Sequence, residues 1–358
     1  MSPTPKKRKR APRIAAGRAA DSSVDLTRLL DVVGAFSRQT VCVIGDFVLD
    51  EFVSGEISRV SREAPVLILR RRASEIYPGG AANAVNNLAD LGARVVPVGV
   101  VGEDEGGRAL LDYFRRKRVD TSRILRVRDW TTTTKTRFLA GWTHTTEQQV
   151  LRVDREPSGE LPTQVQEAVA RKARPAARRA DAVLVSDYGL GAATPALVKG
   201  LRAKCITLDS RFRLLEYVDA GVTAATPNEP EIEAAYQARI GTNREKLEEL
   251  GARALRDLGV ESVLVTRGKD GLAVFERDAE APRHVPIYGS DAPVDVTGAG
   301  DTVIAVFTLA RAAGASWVEA AHLANYGGGI VVMKRRTATV TRAELETALR
   351  REVGSAMS

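Results

Sequence analysis

The sequence has few of the residues that build disulfide frameworks or metal centres. Its two cysteines, Cys42 and Cys205, exclude a disulfide scaffold, and both lie in apolar, strand-like runs, as buried free thiols of a reducing compartment do. The three histidines, His144, His284 and His322, lack the spacing of metal ligands. No apolar run approaches the ~20 residues of a membrane-spanning helix, and no apolar block follows the basic N-terminus as in a signal peptide. We therefore expect a cytoplasmic protein that does not bind membranes.

Acidic residues are missing from the first twenty positions, and this explains the net charge of +8. Seven basic residues precede the first acid, Asp21, and they are Lys6, Lys7, Arg8, Lys9, Arg10, Arg13 and Arg18. Without them the chain has 46 basic and 45 acidic residues. Such blocks are usually disordered, so we expect a basic tail over residues 1–22. It resembles a nuclear-import or nucleic-acid patch, but charge alone predicts at most non-specific contact with nucleic acid.

The rest of the chain alternates between strand-like and helical patterns. Continuous apolar runs predict buried strands at 40–44, 95–101, 182–185, 205–208 and 262–265. Helical patterns occupy 26–36, 81–91, 107–117, 164–173, 194–203 and 244–258. This alternation predicts an α/β fold with a mostly parallel sheet covered by helices on both faces. The stretches 47–77 and 131–153 alternate apolar and polar residues instead, which indicates a small exposed sheet.

The most informative segment is 295–302, Asp-Val-Thr-Gly-Ala-Gly-Asp-Thr, which is followed at once by an apolar run. Its two glycines let a loop turn into the start of a buried helix, where free N–H groups and the helix dipole attract anions. Asp301 lies in that turn, so the segment combines an anion cradle with a carboxylate base, as phosphoryl transfer to an alcohol requires. An ordinary loop with Asp301 as a cap is the alternative. The Rossmann and Walker patterns do not fit, because Val303 stands where a third glycine is needed and no Gly-Lys-Ser/Thr occurs.

This octapeptide resembles the C-terminal signature of the ribokinase-like, or PfkB, carbohydrate kinases. Within them the chain is similar to the heptose-7-phosphate kinases, through Ser-Arg-Val-Ser-Arg-Glu-Ala-Pro-Val at 58–66 and Gln-Gln-Val-Leu-Arg-Val-Asp at 148–154. The resemblance covers about residues 41–349. It implies a ribokinase-like three-layer sandwich over 23–352, with the two alternating stretches as a lid that covers the sugar and joins a homodimer. Residues 353–358 would form a short C-terminal tail.

The resemblance implies transfer of phosphate from ATP, with Mg²⁺, to O1 of D-glycero-D-manno-heptose 7-phosphate in lipopolysaccharide-core synthesis. Asp301 is then the general base, and the N–H groups of Gly298, Ala299 and Gly300 neutralise the transferred group. A carboxylate at a helix N-terminus should have a lowered pKa. A weak base suffices, because the hydroxyl proton leaves late in a largely dissociative reaction.

The sugar is expected to lie against residues near strand ends and a glycine pair, namely Asp46, Asp50, Gly79, Gly80 and Asn83. Carboxylates accept bonds from vicinal hydroxyls, and Gly79-Gly80 lets a ligand approach the backbone. The phosphate of the sugar needs cations, for which the candidates are Arg59, Arg62, Lys135, Arg137 and Arg152. We expect about two of these five to contact it. Lys135 and Arg137 fall on one strand face, and these two with Arg152 lie in the pieces closest to the heptose kinases.

Asn228 and Glu231 have a spacing that brings both to one face of a starting helix. By resemblance they hold the Mg²⁺–phosphate cluster through water, with Asn228 beside the nucleotide; a plain helix cap with acids in its first turn is the alternative. The loop 266–271, with Thr266, Gly268 and Gly271, resembles the loop beside the ATP phosphates, although a simple hairpin turn is compatible with the same residues. Asn325 is expected near the adenine.

Two departures from the heptose kinases concern the nucleotide side. Leu-Asp-Ser-Arg at 208–211 stands where they usually have Val-Asp-Pro-Lys, and Arg336 stands where they usually have glycine. We expect Arg336 to bring bulk and charge towards the nucleotide. The rival functions are a kinase of another sugar or sugar phosphate and, more remotely, a non-catalytic nucleotide-binding protein tethered to nucleic acid by its tail.

Overall fold

The computed structural model describes residues 24–141 and 147–356. The predicted tail over 1–22, residues 142–146 of the second lid stretch and the last two residues lie outside this description. The strands are β1 Thr40–Gly45, β2 Phe47–Val60, β3 Leu67–Gly80, β4 Arg94–Gly102, β5 Ile124–Val127, β6 Thr133–Gly141, β7 Gln148–Arg155, β8 Ala182–Asp187, β9 Ile206–Ser210, β10 Ala224–Ala225, β11 Ser262–Thr266, β12 Leu272–Glu276 and β13 Arg283–Val285. The helices are α1 Leu26–Gly34, α2 Ala81–Asp90, α3 Glu105–Arg116, α4 Thr163–Ala177, α5 Pro195–Lys199, α6 Glu229–Tyr236, α7 Arg244–Leu258, α8 Ala299–Ala312, α9 Trp317–Val331 and α10 Arg342–Ala356.

Nine strands form the central sheet in the order β13-β12-β11-β10-β9-β8-β1-β4-β5. It is parallel from β11 to β5, and at the other edge β12 pairs antiparallel with both β11 and β13. Neighbouring strand residues point to opposite faces, so Val41 and Val43 join one core while Cys42 and Ile44 join the other. Helices α1–α3 and α8–α10 cover the first core, and α4–α7 cover the second. The predicted three-layer α/β sandwich is confirmed.

The second sheet, in the order β3-β2-β6-β7, is the predicted lid. Its two long strands β2 and β3 pair antiparallel, β2 and β6 pair parallel, and β6 and β7 pair antiparallel. The register sets Asp50 opposite Lys135 and Phe52 opposite Arg137, and Arg137 is in turn opposite Arg152. Residues in register share a face of a sheet, so one face of the lid carries this whole cluster.

Several boundaries of helices and strands differ from the sequence prediction. The helix predicted over 194–203 is only the short α5, because Gly200 ends it. The helix predicted over 26–36 ends at Gly34 and passes into a 3₁₀ turn at Phe36–Arg38. At the other end, α10 extends to Ala356 and so crosses the boundary predicted at 352. Within the described ranges, none of the helices combines the length and the apolar character needed to cross a bilayer.

Candidate active site

The predicted turn at 298–301 begins α8, as the sequence pattern indicated. Gly298 is the N-cap residue with φ of +78°, a left-handed conformation that favours glycine. A Cβ at this position would lie 2.4 Å from Nδ2 of Asn83, so close packing also excludes a side chain. Of the three predicted N–H donors, that of Ala299 donates to the carbonyl of Val296 here. The turn therefore fixes the carboxylate of Asp301, in the first turn of α8, against α2.

Asp301 is buried and both of its carboxylate oxygens accept hydrogen bonds. Asn83 donates to Oδ2 at 2.9 Å, and the phenol of Tyr188 donates to Oδ1 at 2.9 Å. Burial raises the pKa of Asp301 to about 7, and the charges of Asp209 and Asp50 add to this rise, while the two hydrogen bonds oppose it. The lowered pKa expected from the helix dipole is thus wrong, because loss of solvent outweighs the dipole. The result is a carboxylate with the basicity that proton removal near neutral pH needs.

A chain of buried amides supports Asn83. Asn87, one turn further along α2, donates from Nδ2 to Oδ1 of Asn83, and its own Oδ1 accepts from the hydroxyl of Thr302 and the backbone of Val340. The amide of Asn83 is thereby oriented with its nitrogen towards Asp301. The structure connects Asn83 to Asp301, and the sugar contact predicted for Asn83 stays a prediction.

Asp46 follows β1 and faces the loop after β8. Its two carboxylate oxygens accept the backbone N–H groups of Tyr188, Leu190 and Ala192 at 2.8–3.0 Å. Burial raises the pKa of Asp46 to about 6 despite these bonds. Asp46 therefore holds the loop that carries Tyr188, and the direct sugar contact predicted for it stays a prediction.

Asp50 and Arg137 form an ion pair on the inner face of the lid. Arg137 donates to Oδ1 of Asp50 at 2.6 Å, and the hydroxyl of Thr337 donates to Oδ2 at 3.1 Å. A Cβ on Gly79 would lie 2.6 Å from Oδ2 of Asp50, so this glycine makes room for the carboxylate. Gly80, at φ +56°, then caps α2. The pairing leaves Arg137 partly neutralised, in contrast to the free cation that the sequence suggested.

Lys135 lies 5.4 Å above the ring of Tyr188, next to the proposed base. Burial lowers the pKa of Lys135, and the charge of Arg211 lowers it further, while Asp50 and Asp154 raise it. Arg152 is 45% exposed and pairs with Asp154 in its own strand. Lys135 thus lies against the ring whose phenol donates to Asp301.

Asn228 and Glu231 form a capping box at the start of α6. Oδ1 of Asn228 accepts the N–H of Glu231, and Oε2 of Glu231 accepts the N–H of Asn228, each at 2.9 Å. The structural alternative raised above is therefore present, and it leaves the other carboxylate oxygen of Glu231 for a ligand. Burial raises the pKa of Glu231 and of its neighbour Asp209, and their like charges add to the rise at Asp209, while Arg211 opposes it. Two neighbouring, half-buried acids are a donor set that suits a divalent cation.

The residues predicted for the nucleotide have local structural partners. Thr266 ends β11 and bridges to Asn228; Gly268 begins a 3₁₀ turn that leads through Gly271, at φ +81°, into β12. The hairpin interpretation therefore holds, since β11 and β12 pair antiparallel. Asn325 donates to the carbonyl of Pro286 at 2.7 Å and so fixes the segment after β13. The contacts with ATP predicted for these residues stay predictions.

Arg336 contacts the lid. Its guanidinium donates to Ser54, Glu75 and Glu147. These contacts were not expected from the sequence, and the effect of Arg336 on the nucleotide stays a prediction.

Sequence reasoning missed Tyr188 and Asp209. Tyr188 follows β8, and Asp209 lies near the end of β9, so both stand at the carboxyl edge of the parallel sheet, where α/β proteins bind ligands. Applying that rule to every predicted strand, instead of to the strand before Asp46 alone, would have found them. What no local pattern indicates is that Tyr188 reaches Asp301, 113 residues away.

Comparison with known proteins agrees with this geometry. The sequence model of the pfkB family carbohydrate kinases matches residues 38–343. Bifunctional protein HldE of Desulfatibacillum aliphaticivorans is 39% identical over 322 residues, which are 88% of this chain and 64% of that protein. Its namesake from Mesorhizobium japonicum is 38% identical over 330 residues, 90% of this chain and 64% of that protein. The chain thus spans a little under two thirds of the length of these relatives.

Solved structures show the same fold at low sequence identity. Ribokinase of Arabidopsis thaliana, solved with ribose and ATP, superposes with a TM-score of 0.65 at 19% identity, over 87% of this chain and 99% of that one. Phosphofructokinase-2 from Escherichia coli, solved with substrates and products, gives 0.69 at 15% identity, over 88% and 99%.

Proposed function

The chain belongs to the pfkB family of carbohydrate kinases, and we propose that it transfers the γ-phosphoryl group of ATP to O1 of D-glycero-D-manno-heptose 7-phosphate, giving the 1,7-bisphosphate for the ADP-heptose of lipopolysaccharide core. Sugar kinase activity follows from the family. The observation that carries the finer proposal is the juxtaposition of Asp301 with Lys135 through Tyr188. A base beside a half-buried cation suits a sugar that already bears a phosphate.

The reaction proceeds in line at the γ-phosphorus. The sugar hydroxyl oxygen forms a new bond to phosphorus, the bond to the β–γ bridging oxygen breaks, and ADP leaves with that electron pair. Asp301 takes the hydroxyl proton, and its raised pKa of about 7 gives it the necessary basicity. Asn83 and Tyr188 keep the carboxylate oriented, and the start of α8 faces the charge that develops on the transferred group.

Glu231 and Asp209, with Asn228, would hold Mg²⁺ through water. When bound, the ion neutralises charge on the ATP phosphates. Their fit is supported by the proximity of the two carboxyl groups, since the charge of Glu231 adds to the rise in the pKa of Asp209 that burial causes. For ATP itself we propose the loop with Thr266, Gly268 and Gly271, and Asn325 near the adenine. For the sugar we propose Asp50 and the glycine pair Gly79-Gly80, with Asp46 shaping the pocket wall.

We further propose a homodimer joined through the lid. Large apolar side chains are exposed there, on the hairpin of β2 and β3 and on β7, at Val60, Val66, Leu67, Leu151 and Val153. A monomeric mass in light scattering would contradict this assembly. A cytoplasmic location suits the two unpaired cysteines, of which Cys42 is buried and Cys205 half-buried.

The decisive experiment is ADP release measured with a panel of sugar phosphates and the matching unphosphorylated sugars. We expect heptose 7-phosphate to give the highest kcat/KM and the unphosphorylated heptose to be far poorer. Equal use of both would favour the second candidate, a pfkB kinase for another sugar, and would remove the phosphate-binding role of the lid cations.

A further inference from the structure

Arg336 holds an uncommon backbone conformation in the segment between α9 and α10. Its φ is +68°, a left-handed value that costs residues with a Cβ more than it costs glycine. The heptose kinases that the chain resembles usually have glycine there. A strained arginine at such a place must be held by its surroundings, and the contacts of its side chain identify them.

The guanidinium of Arg336 binds the lid at β2, at β3 and at Glu147, the residue that precedes β7. Nη2 donates to the hydroxyl of Ser54 at 3.0 Å and to Glu147 at 3.1 Å, and Nε donates to Glu75 at 3.3 Å. The guanidinium carbon also lies 5.2 Å from the ring of Phe52. The side chain of Arg336 is only 15% exposed, while those of its acceptors Glu75 and Glu147 are 47% and 31% exposed.

The backbone of the same segment binds the catalytic turn. The N–H of Arg336 donates to Oδ2 of Asp295 at 3.0 Å, and Oδ1 of Asp295 accepts the N–H of Thr297 at 2.9 Å. The next residue, Thr337, donates to Asp50 in the lid. Residues 336 and 337 thus connect the lid with the loop that precedes Gly298.

We propose that Arg336 is a positioning residue that latches the lid onto the α/β body and couples lid closure to the loop that shapes the phosphoryl site. The inference rests on the proposed function for its kinetic consequence. The latch itself consists of contacts between protein groups, so it can be measured separately from activity. A lid held in this way excludes water from the transferred group and presents Lys135 to the sugar phosphate.

The variant Arg336→Gly separates the side-chain contacts with the lid from the backbone bond to Asp295. Glycine accepts φ +68° without strain and keeps the N–H that binds Asp295, but it removes every contact with Ser54, Glu75, Glu147 and Phe52. Arg335→Gly is the matched control, because Arg335 is an exposed neighbour outside the latch. Glu75→Gln with Glu147→Gln removes the charged acceptors from the lid side and leaves the segment around residue 336 intact.

Hydrogen–deuterium exchange on the full-length protein without ligands tests the latch. We expect exchange in β2 and β3 to be several-fold faster in Arg336→Gly and in the double glutamine variant, and unchanged in Arg335→Gly. Unchanged lid exchange in both latch variants overturns the inference. If Arg336→Gly does not fold, the double glutamine variant decides.

Enzyme kinetics test the proposed coupling between the lid and the phosphoryl site. In Arg336→Gly, KM for the sugar phosphate should rise roughly tenfold, as loss of one charge-assisted hydrogen bond would give, with KM for ATP unchanged and sugar-independent ATP hydrolysis increased. If the wild type phosphorylates no sugar phosphate, the proposed substrate fails while the exchange result still decides the latch. If the lid loosens but KM and ATP hydrolysis stay at wild-type values, the coupling to the phosphoryl site is refuted.

Discussion

The phenol of Tyr188 donates a 2.9 Å hydrogen bond to Oδ1 of Asp301, and Nζ of Lys135 lies 5.4 Å from the centroid of the same ring. Burial and the charge of Asp301 raise the pKa of Tyr188 well above its usual value, so the phenol stays protonated and remains a donor. Tyr188, which is half-buried, therefore contacts both the proposed base and the proposed phosphate-binding cation. This relationship underlies the first three predictions.

Tyr188→Phe should move the acid limb of the pH profile for kcat/KM to higher pH. The hydrogen bond favours the ionised form of Asp301, so its loss raises a pKa that is already about 7, while the retained ring keeps its contact with Lys135. We expect a shift of about one pH unit, because such a bond contributes about 1.5–3 kcal/mol and one pKa unit corresponds to about 1.4 kcal/mol. Water entering the site offsets part of the loss.

Above the acid limb, Tyr188→Phe should recover most of the wild-type kcat. Tyr113→Phe is the control, since the phenol of Tyr113 bonds only to Asn86 among the contacts described for it. An acid limb that does not move in Tyr188→Phe would show that the phenol has no influence on the base.

Asp301→Asn should abolish turnover and leave the affinity for ATP within a few-fold of wild type. The carboxylate serves the acceptor hydroxyl, and an amide of the same size still fills the space between Asn83 and Tyr188. Isothermal titration with an ATP analogue and an ADP-release assay measure the two quantities. Activity within tenfold of wild type would remove Asp301 from the base role.

Lys135→Ala should raise KM for heptose 7-phosphate and hardly change KM for ATP. Losing one charge-assisted contact should cut kcat/KM roughly 10–150-fold. Arg72→Ala is the control, because Arg72 is an exposed lid cation that pairs with Glu56. A proportional loss with the unphosphorylated heptose would mean that Lys135 does not contact the phosphate.

Arg137→Ala should behave differently from Lys135→Ala. Removing Arg137 leaves the buried Asp50 without its ion-pair partner, which destabilises a protein more than loss of an exposed pair does. We expect a lower melting temperature together with a raised KM for the sugar phosphate. A wild-type melting temperature would show that Asp50 does not depend on the ion pair and that the existing bond from Thr337 is sufficient.

Deletion of residues 1–18 should leave kcat and KM unchanged. The segment lies outside the family match, which begins at residue 38, and it contains nearly all of the excess positive charge. Retention on a polyanionic resin should fall in a salt-sensitive way. A large loss of activity would instead indicate that the tail contributes to the site.

The sequence predicted some of the polar residues that lie at the ends of the central strands, but only some of their partners. The apolar runs predicted five strands of the central sheet, and the same pattern located Asp46 and the turn before α8, because both depend on residues adjacent in the chain. Asp46 was expected to face a sugar, yet it binds the loop at 188–192. The choice between these partners depends on how β1 and β8 pair, and no local pattern reports that pairing.

For the cations of the lid, the sequence predicted the strand face but not the partners. Alternation correctly assigned Lys135 and Arg137 to one face of β6. Their surroundings differ nonetheless, since Arg137 is opposite Phe52 and pairs with Asp50, while Lys135 extends over Tyr188. Register with β2 and the approach of the β8 loop created this difference.

By itself the sequence determined the layered α/β fold, the lid, the family and the glycine turn at 298–300, since periodicity and turn chemistry act over a few residues. The tertiary structure alone decided the pKa of Asp301, its contact with Tyr188 and the direction of Arg336. The pKa of a buried group depends on everything packed around it. Arg336 contacts Ser54, which is 282 positions away in the chain. Local rules could predict neither, because both follow from packing between elements that are distant in sequence.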